Sequence, residues 1–306
     1  MKKKLFFETL RSFSFVSNDY EKTNGSSETI RETTFQFELF LQHLPEQKVK
    51  ISHHFLEWFI GFAEGDGSFI VSRPKLGRAR LFFTLVQKEV RVLHRLRSEL
   101  GFGKVQRHGK YFRYVVSDQK SIDRLIHLFN GNLVLNKTRK RFLLWLDSRN
   151  TFKDPGEKIV LKPAIKITNF LSSGWLCGFV DAEGCFHVSF QKDERYSLGF
   201  RVRCYFILDQ KDEFCILDKV RKDIGSGFVS LRGRGNYFRY VLQDMSFLDC
   251  LMKYLKKYPL RTHKNISKVR LERIMRYRRT RNKIPWKGKV LKRVLRLVRY
   301  LEEKSS

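Results

Sequence analysis

The stretches FIGFAEGDG at 59–67 and LCGFVDAEG at 176–184 each place two carboxylates, Glu64 with Asp66 and Asp181 with Glu183, at the end of an apolar run that closes on glycine. A helix C-terminus carries partial negative charge, so an acid in its last turn is disfavoured by a few tenths to about 1 kcal/mol unless something positive offsets it. Small residues one turn apart, Gly61 with Gly65 and Gly178 with Ala182, let two helix backbones approach closely. Packed in this way, the two helices bring Asp66 and Glu183 together from opposite sides, where like charges repel unless divalent cations lie between them. Oxygen ligands suit Mg²⁺ and similar hard ions, and such a site suits in-line attack of water on a phosphodiester. The plainer reading leaves the acids as solvated helix ends and the glycines as packing devices. Recurrence of the whole pattern in a strongly basic chain argues against it. EGDGSF is not an EF-hand loop, since the D-x-D-x-D-G spacing and the closing Glu are missing.

The elements that must hold these acids are duplicated. Gly61 and Gly178 lie 117 residues apart (178 minus 61), Gln87 and Gln210 lie 123 apart (210 minus 87), and the shared YFRYV at 111 and 237 lies 126 apart (237 minus 111). Lys137 and Lys264 follow at 127 (264 minus 137). Markers in constant order with slowly growing offsets mean two copies of one unit with small insertions. The motif helices are expected at about 53–66 and 172–183, with Gly67 and Gly184 as left-handed residues after their C-termini. Alternating segments follow, SFIVS then RLFFTLVQK, and CFHVSF then RVRCYFILDQK. Amphipathic helices over 89–100 and 212–224 stop at Gly101 and Gly225, hairpins over 103–117 and 227–243 come next, and a further helix closes each copy. The fold class is α+β, with two α-β-β-α-β-β-α units. Residues 1–50 form an N-terminal extension in which only FQFELFLQHL is expected to be ordered; 51–147 is the first unit, 148–170 a linker, and 171–306 the second unit with a basic C-terminal helix.

Composition narrows the partner. The 306 residues carry 62 Lys+Arg against 31 Asp+Glu, a net charge of +31, which favours polyanions and nucleic acid first. No apolar run of about 18 residues occurs, so no membrane span is expected. Five cysteines without C-x-x-C spacing argue against a disulfide framework or a structural zinc site, and Glu8 interrupts any secretory signal.

On these residues the chain resembles the LAGLIDADG homing endonucleases of the single-chain, two-repeat type, over about residues 52–280. The resemblance implies a monomer with pseudo-twofold symmetry and two saddle-shaped antiparallel sheets lying in DNA major grooves. It implies metal binding by the eighth-position acids Asp66 and Glu183, with Gly65 and Ala182 beside them at the metal site, and leaves Glu64 and Asp181 to orient or cap the helix ends. Gln87 and Gln210 are implied to position water, and Lys137 and Lys264 to offset phosphate charge. Mg²⁺ or Mn²⁺ is the implied cofactor, with Ca²⁺ supporting binding without cleavage. Unequal reach of Asp66 and Glu183 is expected to make the two strands cleave at unequal rates. Strand alternation puts Ser68, Ile70, Ser72, Arg80, Phe82 and Thr84 on the contact face of the first unit, with Lys104, Gln106, His108, Tyr111 and Arg113 from its hairpin. The second unit offers Cys185, His187, Ser189, Gln191, Arg201, Arg203 and Tyr205, with Ser230, Arg232, Tyr237 and Arg239 from its hairpin. A face rich in Arg, Gln and Ser and nearly free of acids suits major-groove reading. The expected activity is site-specific cleavage of double-stranded DNA. An RNA maturase acting on the host intron, and a DNA-binding protein of the same fold without catalysis, are the rival readings. The resemblance implies an organelle-encoded protein of the mitochondrion, with the chloroplast as alternative.

Overall fold

The computed structural model describes residues 35–44, 51–74, 79–151, 153–195, 200–280 and 287–302, and the side chains of Gln191, Lys192, Phe200 and Glu302 lie outside the description. The expectation of a flexible stretch between residues 19 and 34 therefore falls outside the described residues. After a short helix α1 (Glu38–Gln42), the first half runs α2 (His53–Asp66), β1 (Gly67–Ser72), β2 (Arg80–Gln87), α3 (Val90–Leu100), β3 (Lys104–His108), β4 (Tyr111–Val116), α4 (Gln119–Phe129) and α5 (Asn136–Asn150). The second half repeats this as α6 (Trp175–Glu183), β5 (Gly184–Lys192), β6 (Phe200–Lys211), α7 (Phe214–Ile224), β7 (Phe228–Arg232), β8 (Tyr237–Leu242), α8 (Met245–Lys257) and α9 (Lys264–Arg279), followed by α10 (Gly288–Glu302). Both sheets are antiparallel, in the orders β1-β2-β4-β3 and β5-β6-β8-β7.

Each half has two helices after its second hairpin, where periodicity suggested one. The break falls at Asn130-Gly131-Asn132, with Gly131 at φ 89°, and at Tyr258-Pro259, where proline removes an N–H and pushes the preceding residue out of the helical region. Gly101 and Gly225 end α3 and α7 in the left-handed conformation expected of them, at φ 76° and 94°. Gly67 and Gly184 do not. Both are extended, at φ −84° and −74°, because β1 and β5 leave the motif helices without a turn. Glycine is needed there for space: a Cβ on Gly67 would sit 2.4 Å from the Ala63 carbonyl oxygen, and one on Gly184 2.7 Å from that of Val180.

Alternation sorts each sheet into a buried and an open face. Phe83, Leu85, Tyr114 and Val116 point into the helices of the first half, as do Val188, Cys204, Phe206, Leu208, Tyr240 and Leu242 in the second. Fully burying a side chain such as Phe or Leu contributes about 1.5–3 kcal/mol, so these rows dominate the choice of strand register. Phe69 is surrounded by the rings of Phe83, Phe129, Phe142 and Trp145, at centroid distances of 5.2–5.6 Å, which fastens β1 to α4 and α5. Phe35, Phe37 and Phe40 are buried as well, and Asn132 grips the backbone of Gln36 through both its amide groups, so the segment before α2 belongs to the first core. The linker lies along the first half, with Asn130 holding Val160 and Lys162 and Asn150 holding Ile159.

The halves meet where α2 crosses α6. A Cβ on Gly61 would stand 2.0 Å from the Trp175 carbonyl oxygen, and one on Gly178 1.9 Å from that of Trp58. At the next turn a Cβ on Gly65 would stand 2.3 Å from the Ala182 Cβ. The two backbones are in contact, so even one methyl group has no room. Hydrogen bonds cross the same interface: Trp58 Nε1 donates to Asp181 Oδ2 at 2.8 Å, and Trp175 Nε1 to Glu64 Oε2 at 2.6 Å. Glu57 of α2 accepts from the Gly174 amide at 2.7 Å, capping α6, whose own N-cap residue supplies no side chain.

Gly178→Ala is expected to cost on the order of 3 kcal/mol, because the clash is with backbone and cannot be relieved by a rotamer change. Urea denaturation should show this against Gly156→Ala, a position with nothing within 4 Å, as the control. Equal midpoints for the two variants would mean that the helices do not touch.

Candidate active site

The eighth-position acids emerge together at the bottom of the α2–α6 crossing. A Cβ on Gly65 would lie 3.2 Å from Glu183 Cγ, which places Glu183 against the last turn of α2 and beside Asp66. Each carboxylate is held by the glutamine at the end of the second strand of its own half. Gln87 Nε2 donates to Asp66 Oδ2 at 2.6 Å, and Gln210 Nε2 to Glu183 Oε1 at 2.8 Å. Lys137 arrives from the opposite half, whereas Lys264 bonds within its own. Lys137 Nζ donates to Gln210 Oε1, and Lys264 Nζ to the Ala182 carbonyl at 2.6 Å and the Val180 carbonyl at 3.3 Å. The positive charge of Lys264 acts on Asp66 and that of Lys137 on Glu183. Contacts thus join Glu183, Gln210 and Lys137 in one cluster and Asp66 with Gln87 in another, while Lys264 is fixed on the end of α6 with its charge acting on both acids.

Electrostatics at the crossing are those of a desolvated like-charge pair. Burial lifts the Glu183 carboxyl to about 7, the charge of Asp66 adds to this, and Lys137, Lys264 and Gln210 oppose it. Asp66 is raised too, by burial first, against the hydrogen bond from Gln87 and the charge of Lys264. Burial lowers both lysines, although the surrounding carboxylates pull them back up. Two oxygen ligands from opposite helices, each costly to ionise here, fit a hard divalent ion, which would supply the missing positive charge. Among the described residues no group of three or more His, Cys, Asp or Glu could hold a metal. An ion would use Asp66 and Glu183 and leave coordination positions to water and substrate. Ala182 offers a carbonyl already engaged by Lys264, and Gly65 stands next to Asp66 with no side chain to obstruct it.

The sixth-position acids do other work, and the sequence does not show it. Glu64 and Asp181 are buried, and neither caps the end of its own helix. Glu64 Oε1 accepts from the amides of Val134 and Leu135 at 2.9 and 2.7 Å. Asp181 accepts from the amides of Arg261 and Thr262 at 2.7 and 3.2 Å and from Thr262 Oγ1 at 2.5 Å. In both halves the residues so held lie just before the clustered lysine. Trp58 and Trp175, which complete these carboxylate shells from the other half, read in the sequence as ordinary core residues. No periodic signal distinguishes them.

The residues expected on the contact face share one side of each sheet. In the first half Ser68 pairs with Thr84, Ile70 with Phe82, Ser72 with Arg80, Gln106 with Arg113 and His108 with Tyr111, while Lys104 lies opposite Val115. In the second, Cys185 pairs with Ile207, His187 with Tyr205, Ser189 with Arg203, Ser230 with Arg239 and Arg232 with Tyr237. Gln191 lies opposite Arg201 in the register, its side chain outside the described atoms. An acid does stand on this face: Asp209 pairs with Arg239 at 2.6 Å, so that guanidinium is already engaged. The second face is also less open than alternation suggests. His187 and Tyr205 stack at 5.9 Å, and the Nε atoms of Arg201 and Arg203 are buried without a partner.

Comparison with known proteins accords with this geometry. The family described as LAGLIDADG endonuclease matches residues 59–148 and 176–275, the two halves. A protein of Neurospora crassa named probable intron-encoded endonuclease 4 is 32% identical over 216 residues, covering 69% of this chain and 38% of that protein. The intron-encoded RNA maturase bI4 of Saccharomyces cerevisiae is 23% identical, covering 69% of this chain and 30% of its own. The chain thus spans well under half of either relative. Among solved structures, the meganuclease I-AabMI bound to uncleaved DNA superposes with a TM-score of 0.65 at 22% identity, covering 82% of this chain and 99% of that one. I-SmaMI bound to uncleaveable DNA gives 0.65 at 17% identity, covering 83% and 97%.

Glu183 binds its proton more tightly folded, with a pKa of about 7, than at the ordinary glutamate value of 4.5. Its contribution to stability is therefore complete below pH 4.5 and is lost as pH rises through 7. Without divalent ions, the melting temperature should fall from weakly acidic to weakly alkaline pH. Glu183→Gln should flatten that fall, leaving the part due to the other acids that burial raises, Glu64 (to about 8), Asp66, Asp181 and Glu213. An unchanged slope in Glu183→Gln would contradict the assignment.

Proposed function

Because the chain belongs to the LAGLIDADG endonuclease family, we propose that it is a site-specific double-strand DNA endonuclease using Mg²⁺ or Mn²⁺ at the junction of its halves. The observation that carries this reading is the pair of glutamine-held carboxylates, Asp66 and Glu183, at the crossing of α2 and α6, with Lys137 on Gln210 and Lys264 on the end of α6. A divalent ion held by Asp66 and Glu183 would supply a Lewis acid for the scissile phosphate and for water. Gln87 and Gln210 fix the orientation of the two carboxylates and are the residues that would position water. Lys137 and Lys264, kept partly desolvated, offset the charge that develops on the phosphate oxygens. The open faces bind duplex DNA, with phosphate contacts giving affinity and Arg, Gln and Ser reading base edges.

Both clusters come from one chain, so a monomer suffices for two cuts. Several relatives are named for introns, including a cox1 intron-2 protein of Schizosaccharomyces pombe and one in ND4 intron 1 of Podospora anserina. These names support an intron-encoded origin and placement in the mitochondrion. The likeness to maturase bI4 keeps RNA binding as the second reading.

The test is a supercoiled plasmid carrying the uninterrupted form of the gene whose intron encodes this chain. Linear product is expected with Mg²⁺, and binding without cutting with Ca²⁺. Asp66→Asn and Glu183→Gln should each reduce cleavage about 10²-fold or more. Affinity should fall steeply with salt. Tight binding to the host intron RNA with no cut in DNA would favour the maturase reading.

A further inference from the structure

Helices α5 and α9 carry Lys137 and Lys264 in their first turns, and neither has a side-chain cap from its own N-cap residue, Leu135 or His263. Thr262 Oγ1 accepts from the Lys264 amide at 3.2 Å, and each helix start also receives an acceptor from the other half. Glu213 Oε1 accepts from the Lys137 amide at 3.0 Å, and Glu89 Oε2 from the His263 amide at 2.7 Å. Glu213 and Glu89 are themselves the N-cap residues of α7 and α3, yet neither caps its own helix. The N-terminus of a helix favours an acceptor and a negative charge, so each glutamate has a binding reason to reach across.

The placement ties each glutamate to one cluster. Glu213 lies three residues after Gln210 and binds the helix whose Lys137 reaches Gln210. Glu89 lies two residues after Gln87, which holds Asp66, and binds the start of the helix whose Lys264 is fixed on the Ala182 and Val180 carbonyls at the end of α6. Between Gln210 and Glu213 the second half has one residue more than the first, so the offset grows from 123 at the glutamines to 124 at the glutamates (213 minus 89). Asp212 absorbs the extra residue in the left-handed region, at φ 59°, and its amide donates to the Asn236 carbonyl. The insertion therefore leaves the glutamate in its cross-half contact.

We infer that Glu89 and Glu213 are positioning residues, each fixing the lysine of the opposite half at the junction where Asp66 and Glu183 meet. The inference rests on the endonuclease reading for its consequence in cleavage: each glutamate should govern one strand. Glu213→Ala should slow the strand that Lys137→Met slows, and Glu89→Ala the strand that Lys264→Met slows, each by about 10-fold, with the other strand little changed. Both rates would be read from one end-labelled duplex, and their ratio does not depend on how much of a variant is folded. Glu213→Gln and Glu89→Gln keep an oxygen acceptor and should restore most of the lost rate. Adding Glu213→Ala to Lys137→Met should cost little further, since the glutamate acts through the lysine.

Hydrogen exchange gives a reading that does not require cleavage. The Lys137 amide should lose protection in Glu213→Ala, and the His263 amide in Glu89→Ala. Wild-type protein that cuts no DNA would overturn the endonuclease reading while these amides still report the contact. Wild-type cutting with an unchanged strand ratio in both alanine variants, or amides that stay protected, would overturn this inference alone.

Discussion

Direct contact between the backbones of α2 and α6 is the constraint from which the rest follows. With the Trp175 and Trp58 carbonyl oxygens only 2.0 and 1.9 Å from where Cβ atoms on Gly61 and Gly178 would be, the helices are locked at closest approach. That fixed crossing sets the last turns side by side, and with them Asp66 and Glu183. It also sets the two sheets at a fixed relation about the pseudo-twofold axis, since β1 and β5 leave the motif helices with no intervening turn. Gly67 and Gly184 serve this economy of space, and their extended φ shows that close approach, rather than left-handed geometry, selects glycine there.

Two carboxylates on one helix, two residues apart, face different surroundings. Glu64 and Asp181 are buried among N–H donors and tie together three elements each: their own helix, the tryptophan of the opposite motif helix and the segment that leads into the lysine helix. Asp66 and Glu183 meet at the crossing, where burial and mutual charge make ionisation costly. A buried acceptor surrounded by donors is a structural tie, whereas paired acids short of positive charge are suited to bind it. The chemistry at the junction thus depends on acids that never touch it.

The halves are also crossed. Lys137 of the first repeat reaches Gln210, which holds Glu183 of the second, and the backbone at the start of each lysine helix is held by a glutamate of the other repeat. The symmetry is imperfect where chemistry would notice it: Lys137 reaches the Gln210 amide oxygen, while Lys264 reaches two carbonyls at the end of α6. Differences also separate the contact faces, with Arg239 engaged by Asp209 in the second sheet, and the strands paired less openly there than in the first.

The resemblance alone pointed to Gln87, Gln210, Lys137 and Lys264, while by itself the sequence determined the duplication, the two sheets, which strand residues face outward, and the recurrence of the acids Asp66 and Glu183 at equivalent helix ends. These follow from local rules: glycine spacing, period-two alternation and the order of repeated markers are properties of neighbouring residues along the chain. Tertiary structure alone decided the partnerships between repeats. Nothing in the spacing of Trp58, Trp175, Glu57, Glu89 or Glu213 reveals that each reaches into the other half, because those contacts depend on how two helices cross and not on any period within one. The second closing helix in each half was hidden for a related reason: α4 and α8 are strongly amphipathic, whereas α5 and α9 carry little periodic signal and are set off only by the breaks at Gly131 and Pro259. Even the role of Glu64 and Asp181 was fixed by burial, since a carboxylate at a helix end becomes a tie or a ligand according to the donors that the folded chain brings to it.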